Sequence, residues 1–215
     1  MTATTDVSEY RHGKVPREVR LRQLLALGEE LFAERGYSAA SMDELARRAG
    51  VSKPVIYDLV GNKEQLFRAC MGRLSDDLAA RVQDAVAGEA DRRARLTAGA
   101  LAWFGFVADH RAAWGALLGS ADTPVTEGVQ EVRQRQATLV ADMLEADVRA
   151  LGGAAPRVLL DAIASLLGGA FESLAAWWQE HPEITAEHLA DLFTRITWPG
   201  LQGLTTDPPT GWSTP

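Results

Sequence analysis

The sequence is poor in cysteine, in lysine and in long apolar runs. Cys70 is the only cysteine among 215 residues, which excludes an intrachain disulfide and a multi-cysteine metal site. No uninterrupted apolar run approaches the roughly 20 residues of a membrane-spanning helix, and residues 1–16 lack the apolar stretch of a signal peptide. We therefore expect a cytoplasmic protein with no membrane partner, no metal and no cofactor. Cys70 is expected to be a buried helix residue, the alternative being a redox sensor.

Runs that alternate apolar and polar residues are also missing, so no strand is predicted. Apolar residues instead recur at intervals of three and four residues, which predicts an all-α fold of about nine helices. Residues 119–128 are rich in Gly, Ser, Thr and Pro and are predicted to form a loop. The predicted helices cover about residues 16–36, 42–49, 52–60, 63–88, 91–109, 111–118, 129–151, 156–180 and 185–203.

The helices and the charge divide the chain unevenly. We expect a flexible basic arm over residues 1–16, a three-helix unit over 17–62, a helical body over 63–204 whose first helix connects it to that unit, and an irregular tail over 205–215. The net charge of −7 is unevenly distributed along the chain. Residues 1–70 contain eleven Lys and Arg and ten Asp and Glu, whereas residues 71–215 contain eleven Lys and Arg and nineteen Asp and Glu. All three lysines lie in the first part. The acidic body should therefore face away from any polyanion.

The stretch from Ser41 to Lys63 predicts two short helices joined by a tight turn. Ser41 precedes Glu44 by three residues, the spacing of a capping box that starts a helix at Met42. Gly50 supplies the left-handed backbone that ends this helix. Ser52 offers a second N-cap, and Pro54 is tolerated in a first turn because the amide there has no intrahelical partner. A second capping box, Asn62 with Gln65, starts the following long helix.

Two short helices with small, polar and cationic residues at the start of the second one indicate a helix-turn-helix DNA-binding unit. The pattern over about residues 17–70 resembles the N-terminal signature of the tetracycline-repressor (TetR) family. The residues that carry the resemblance are Phe32, Gly36-Tyr37, Ser41-Met42, Leu45-Ala46, Ala49-Gly50-Val51-Ser52, Ile56-Tyr57, Lys63-Glu64 and Leu66. The resemblance implies a transcriptional regulator that binds a palindromic double-stranded DNA operator as a homodimer and is released from it by a small-molecule effector.

The resemblance also assigns the DNA contacts. Ser41 and Met42, at the start of the first helix of the motif, would contact a phosphate. Ser52, Lys53 and Pro54 would lie nearest the base edges. The Tyr57 hydroxyl and Lys63 would contact the phosphate backbone. Two alternatives stay open, namely that Tyr57 completes the small core and that Lys53 is a solvated charge.

The end of the second motif helix departs from the family pattern. Asp58, Leu59 and Val60 stand where the family has an aromatic or histidine residue followed by Phe. We expect an unusual operator from this change. The alternative function is a helical ligand-binding or protein-interaction module whose DNA-binding unit has weakened.

The C-terminal body resembles the family only in its architecture. In the family, the last two long helices pair with those of a second subunit. The residues predicted to form the dimer interface are small or apolar, and the alternative is that they belong to the core of their own chain. They are Leu166, Leu167, Gly169, Ala170, Phe171, Leu174, Trp177 and Trp178. An apolar pocket for an apolar or aromatic effector is predicted between the middle helices, the alternative again being simple core. Its predicted lining is Trp103, Phe104, Val107, Trp114, Leu118, Leu139 and Met143.

No catalytic constellation is found, so an enzyme is not expected. The sequence has no His-Glu-x-x-His motif and no Gly-rich phosphate loop after a strand. The four histidines, His12, His110, His181 and His188, are not paired with a nucleophile in the sequence pattern.

Overall fold

The computed structural model describes residues 15–111, 123–206 and 211–212, and every regular element within these ranges is a helix. The all-α prediction is confirmed. The helix predicted over 111–118 falls almost wholly outside the described residues. The eight described helices are α1 (Arg17–Ala39), α2 (Met42–Ala49), α3 (Lys53–Val60), α4 (Lys63–Ala87), α5 (Arg92–Asp109), α6 (Thr123–Ala150), α7 (Arg157–Trp178) and α8 (Ala186–Thr206).

The described chain forms two compact units. The first contains residues 15–74 and 123–130, and the second contains residues 75–111 and 131–206. The two units divide at Leu74, inside α4, whereas the sequence placed the boundary between residues 62 and 63. Helix α4 therefore contributes its first three turns to one core and the rest to the other.

The core of the first unit is built where α1 packs on α2 and α3. Leu24, Leu45 and Ile56 are fully buried there. Gly28 is needed for the approach of α4, because a Cβ at this position would lie 3.1 Å from Leu66 Cδ1 and 3.2 Å from Cys70 Sγ. Cys70 is 2% exposed, and burial raises the pKa of its thiol well above the usual range. The prediction of a buried helix cysteine is confirmed.

Two helix ends differ from the sequence prediction. Gly36, where the first predicted helix ends, has φ 71° and ψ 172°. This is a kink, and one further turn continues to Ala39. Helix α6 begins at Thr123, so residues 123–128 of the predicted loop are helical. A proline in a first turn loses no intrahelical hydrogen bond, and Gly128 serves packing, since its Cβ would lie 3.1 Å from Phe67 Cε1.

The second unit has two packed layers. Helix α5 packs against α8, with Phe104, Val107 and Phe193 buried. Helices α6 and α7 bury small and aliphatic side chains against each other, with Ala141, Leu160 and Ala164 at the centre.

Within the described residues, helix α7 leaves much of its apolar surface exposed. By length and composition it could cross a membrane, and within its most apolar window only 28% of the residues are buried. Asp161 and Glu172 interrupt that surface and form ion pairs with Arg157 and Arg133, at 2.8 Å and 2.6 Å.

Candidate DNA-binding surface and C-terminal aromatic cluster

The start of α2 is capped differently from the predicted capping box. The Ser41 hydroxyl accepts a hydrogen bond of 3.2 Å from the backbone N–H of Asp43, one residue earlier than expected. Glu44 instead accepts hydrogen bonds of 2.6 Å from Arg47 Nη2 and 2.9 Å from Arg48 Nε. The box prediction was wrong for Glu44 because two nearby guanidinium groups compete better for its carboxylate than one backbone amide does.

Glu44 joins α2 to α1 through Arg48. The hydrogen bonds from Arg47 and Arg48 lower the pKa of Glu44 to about 2. Arg48 also donates to Glu34 of α1 at 2.6 Å. The left-handed Gly50, with φ 65° and ψ 34°, then ends α2 as predicted. Helix α2 is thereby fixed on the supporting helix, and its first turn is left at the surface.

Helix α3 presents one polar face to solvent. Ile56 and Val60 are buried, and Ser52 occupies the N-cap position without a capping hydrogen bond from its side chain. Tyr57 is 50% exposed, so its ring adds little to the core and its hydroxyl is accessible. The outward positions of the motif are Ser52, Lys53, Pro54, Val55, Tyr57 and Asp58.

Each cation on this face is held by a carboxylate. Lys53 Nζ lies 2.6 Å from Asp43 Oδ1, and this hydrogen bond and the negative charge of Asp43 raise the pKa of the Lys53 amine. Arg17 Nη1 donates to Asp58 Oδ2 at 2.7 Å, and its Nη2 donates to the Asp58 carbonyl at 3.1 Å. All four side chains are more than half exposed. The charge of Asp58 on this surface is therefore paired with Arg17.

Sequence reasoning missed Arg17 and Val55 on this face. Arg17 is the first residue of α1 and comes next to α3 only in the folded unit, across 41 residues of sequence. Val55 is 39% exposed. Its position could have been found from helical spacing, because Ile56 and Val60 lie four residues apart on one buried face and Val55 lies off that face.

Lys63 lies at the start of α4 beside the end of α1. Its Nζ donates to the Ser38 carbonyl at 2.9 Å and lies 4.6 Å from the ring centroid of Tyr37. The predicted Asn62 and Gln65 capping box is confirmed, with both reciprocal hydrogen bonds at 2.9 Å. The phosphate contact of Lys63 stays a prediction.

The predicted effector lining is only partly brought together. Trp103 stacks on Phe171 with ring centroids 4.9 Å apart, and Phe104 lies 5.3 Å from Phe171. Val107 is fully buried. Leu139 and Met143 are half-buried on α6. Trp114 and Leu118 lie outside the described residues.

The predicted dimer residues divide into three groups. Leu166, Gly169 and Trp177 are exposed, with Leu166 73% exposed. Leu167 and Trp178 are buried within their own chain, and Ala170, Phe171 and Leu174 are intermediate. Leu192 and Ile196, four residues apart on α8, are also exposed and are not among the predicted residues.

Two family models match the chain. One describes bacterial regulatory proteins of the tetR family and matches residues 24–70, and the other describes a tetracyclin repressor-like C-terminal domain and matches residues 92–200. The chain is 44% identical over 97 residues to the HTH-type transcriptional activator FasR of Mycolicibacterium smegmatis, covering 45% of this chain and 44% of that protein. It is 33% identical over 79 residues to the HTH-type transcriptional repressor KstR2 of Rhodococcus jostii, covering 37% and 39%. The matches thus span less than half of these curated relatives.

Solved structures extend the similarity over most of the chain. A TetR-like transcriptional regulator from a Rhodococcus species is 30% identical, with a TM-score of 0.65, and the match covers 88% of this chain and 100% of that one. A tetR-family transcriptional regulator from Streptomyces coelicolor is 26% identical, with a TM-score of 0.69 and coverage of 89% and 84%.

Proposed function

Because the chain belongs to the TetR family of bacterial regulatory proteins, we propose that it is a sequence-specific transcriptional repressor. It binds a palindromic operator as a homodimer and is released by a small apolar or aromatic effector. The observation that supports this most is the face of α3, where exposed polar and cationic side chains stand opposite buried Ile56 and Val60. We propose repression and not activation because occupancy of a promoter blocks transcription without any further contact.

On the operator, α3 lies in the major groove. Lys53 donates to guanine O6 or N7, and Val55 contacts a thymine methyl group. Ser52 and Pro54 lie at the same base edges. Ser41 and Met42, together with the Tyr57 hydroxyl, face phosphates, and Lys63 turns from Ser38 to the DNA backbone.

The homodimer forms through the exposed apolar stripe of α7 and α8. On α7 this stripe includes Val158, Leu166 and Trp177, and on α8 it includes Leu192 and Ile196. A two-fold axis through this surface makes the interface self-complementary. The two copies of α3 would then read half-sites about 34–36 Å apart, or a multiple of that spacing.

The effector binds at the aromatic cluster of Trp103, Phe104 and Phe171. These rings belong to α5 and α7, and the nearby α8 contributes Phe193, whose ring centroid lies 4.0 Å from that of Phe171. Because α4 has residues in both units, a change in the C-terminal core can alter the placement of Lys63 and α3. An effector that prefers the altered state lowers operator affinity by linkage.

The effector proposal is tested with a panel of apolar and aromatic compounds added to the purified protein. A binding compound should raise the melting temperature of the protein and release a bound duplex in a gel-shift assay. A compound that raises the melting temperature without changing duplex affinity would contradict release.

The DNA proposal is tested by selecting duplexes from a randomised library with the full-length protein. A near-palindrome should be enriched. Lys53→Ala should relax the preference at one base step and cost about 1–3 kcal/mol in binding free energy, whereas Lys63→Ala should weaken all duplexes alike and reduce the salt slope by about 1. Arg149→Ala, on the exposed side of α6, is the charge-matched control and should change neither.

Failure to enrich any sequence would contradict the proposal. It would favour the alternative, a helical ligand-binding or interaction module with a weakened DNA-binding unit. That alternative is motivated by Asp58, Leu59 and Val60 at the end of α3, and the charge of Asp58 is paired with Arg17 in the folded unit.

A further inference from the structure

The solvent face of the helix-turn-helix carries two carboxylates where a DNA-binding surface would be expected to carry none. Asp43 lies 2.6 Å from Lys53 Nζ, and Asp58 lies 2.7 Å from Arg17 Nη1. Each carboxylate oxygen occupies a place that a phosphate oxygen would take against the same cation. A duplex that takes the same hydrogen-bonding position on either cation must displace the carboxylate.

Stability of the fold does not account for these two ion pairs. Exposed ion pairs contribute about 0–1 kcal/mol to folding, and the exposed fractions here are 57% and 65% for Lys53 and Asp43 and 65% and 70% for Arg17 and Asp58. Asp58 also lies in the last turn of α3. There the negative end of the helix dipole makes an acidic side chain unfavourable.

Asp43 has a partial structural explanation, because the first turn of a helix favours an acidic residue. Glu44 already supplies a carboxylate in the same turn. The placement of the Asp43 carboxylate beside the amine predicted to read the bases remains to be explained by binding.

We propose that Asp43 and Asp58 compete with DNA phosphates for Lys53 and Arg17, and that Asp43 is thereby a specificity-determining residue. This inference rests on the proposed function and deepens it. On a random duplex each cation exchanges a carboxylate for a phosphate and gains little. On the operator, Lys53 also gains a base-edge acceptor, which random DNA does not offer at the right place. The Asp43 carboxylate thus lowers non-specific affinity more than operator affinity, whereas the Asp58 carboxylate lowers both.

The salt dependence of DNA affinity should also reflect the competition between carboxylate and phosphate. Binding to DNA releases about 0.9 counterions for each phosphate neutralised. A carboxylate displaced from its cation takes up a cation from solution, which offsets part of that release. Removing the carboxylate should therefore steepen the plot of log affinity against log salt concentration.

The test compares full-length wild type with Asp43→Asn, Asp58→Asn and the double variant. Two duplexes are used, the one enriched by library selection and a scrambled duplex of equal length and composition. Each single variant should bind the scrambled duplex about 3- to 10-fold more tightly and steepen its salt slope by up to about 1. The double variant should lose at least threefold in the ratio of selected to scrambled affinity.

The matched control is Glu34→Gln, which makes the same charge change in the same unit and leaves Arg48 its contact with Glu44. It should alter neither affinity by more than about twofold, because Glu34 is paired with Arg48 and not with Lys53 or Arg17 and solvent ions screen its exposed charge. Asp43→Ser keeps an oxygen acceptor in the first turn of α2 and should behave as Asp43→Asn does.

Three outcomes would overturn the inference while leaving the proposed function intact, provided that wild type prefers the selected duplex. These are unchanged scrambled-duplex affinity in the double variant, equal gains on both duplexes in Asp43→Asn, and a gain in Glu34→Gln as large as in the aspartate variants. A wild type without any preference would overturn the proposed function and this inference together.

Discussion

Thr194 is a buried polar residue whose hydroxyl is left without a partner. It is 2% exposed, and within the described part of the chain its Oγ1 has no hydrogen-bond partner. A helical threonine normally donates to the carbonyl three or four residues earlier, as Thr197 does to Phe193 at 2.8 Å. An unmade hydrogen bond of this kind costs about 1–3 kcal/mol.

Replacing Thr194 with Val should therefore stabilise the protein. Because valine keeps the shape and removes the unpaired hydroxyl, we expect the free energy of unfolding to rise by about 1 kcal/mol, measured by urea denaturation with an unchanged m-value. Thr197→Val is the control and should give no gain. A lower urea midpoint for Thr194→Val would show that the hydroxyl has a stabilising contact.

At this scale the sequence identified the apolar residues of α7 but not which of them point inward. Leu166 and Leu167 are adjacent and equally apolar, yet they are 73% and 5% exposed. Helix α7 is apolar on nearly all sides, so periodicity cannot choose its buried face. That choice depends on Trp103 and Phe104 of α5, which meet Phe171 only in the folded unit.

At the scale of helices, α1 and α4 approach each other through a glycine. A Cβ added at Gly28 would lie 3.1 Å from Leu66 Cδ1 and 3.2 Å from Cys70 Sγ, and both distances are shorter than an ordinary van der Waals contact. By contrast, an added Cβ at Gly105 in α5 meets no described heavy atom within 4 Å. The same substitution should thus have opposite effects at the two positions.

Gly28→Ala should lower the free energy of unfolding by about 1–3 kcal/mol, because the core must shift to admit a methyl group. Gly105→Ala should raise it by about 0.5–1 kcal/mol, because alanine favours the helix and the space is open. Both are measured by chemical denaturation. Equal effects of the two substitutions would mean that helix propensity alone governs them, against the close packing of α1 on α4.

The ends of the helices show where local sequence signals suffice. Gly50 and the Asn62–Gln65 capping box act within a few residues, and both were predicted correctly. Gly128 was taken as a loop glycine, whereas its role is to let α6 approach Phe67. A requirement set by a residue 61 positions away in the sequence leaves no local signal.

At the scale of the whole molecule, the exposed apolar stripe of α7 and α8 carries the proposal of a homodimer. Leu166 and Ile196 are 73% and 69% exposed. Large contiguous apolar surfaces are rare on monomeric proteins. An acidic substitution in the centre of such a surface places an unpaired charge in the interface.

Leu166→Asp and Ile196→Asp should each convert the dimer to a monomer, measured by sedimentation equilibrium. Operator affinity should fall at least tenfold with it, because each subunit would read only one half-site. Leu151→Asp is the control, since Leu151 is 54% exposed but follows α6, and it should leave the dimer intact. A dimeric Leu166→Asp variant would place the interface elsewhere.

The buried state of Cys70 has a practical consequence for experiments. Its thiol is both shielded and kept protonated, so maleimide dyes, which react with thiolates, should leave it unmodified in the native protein. A cysteine introduced on the solvent side of α3 would then take the label alone, without prior mutation of Cys70. The rate at which Cys70 itself is slowly labelled would then report how often the contact between α1 and α4 opens.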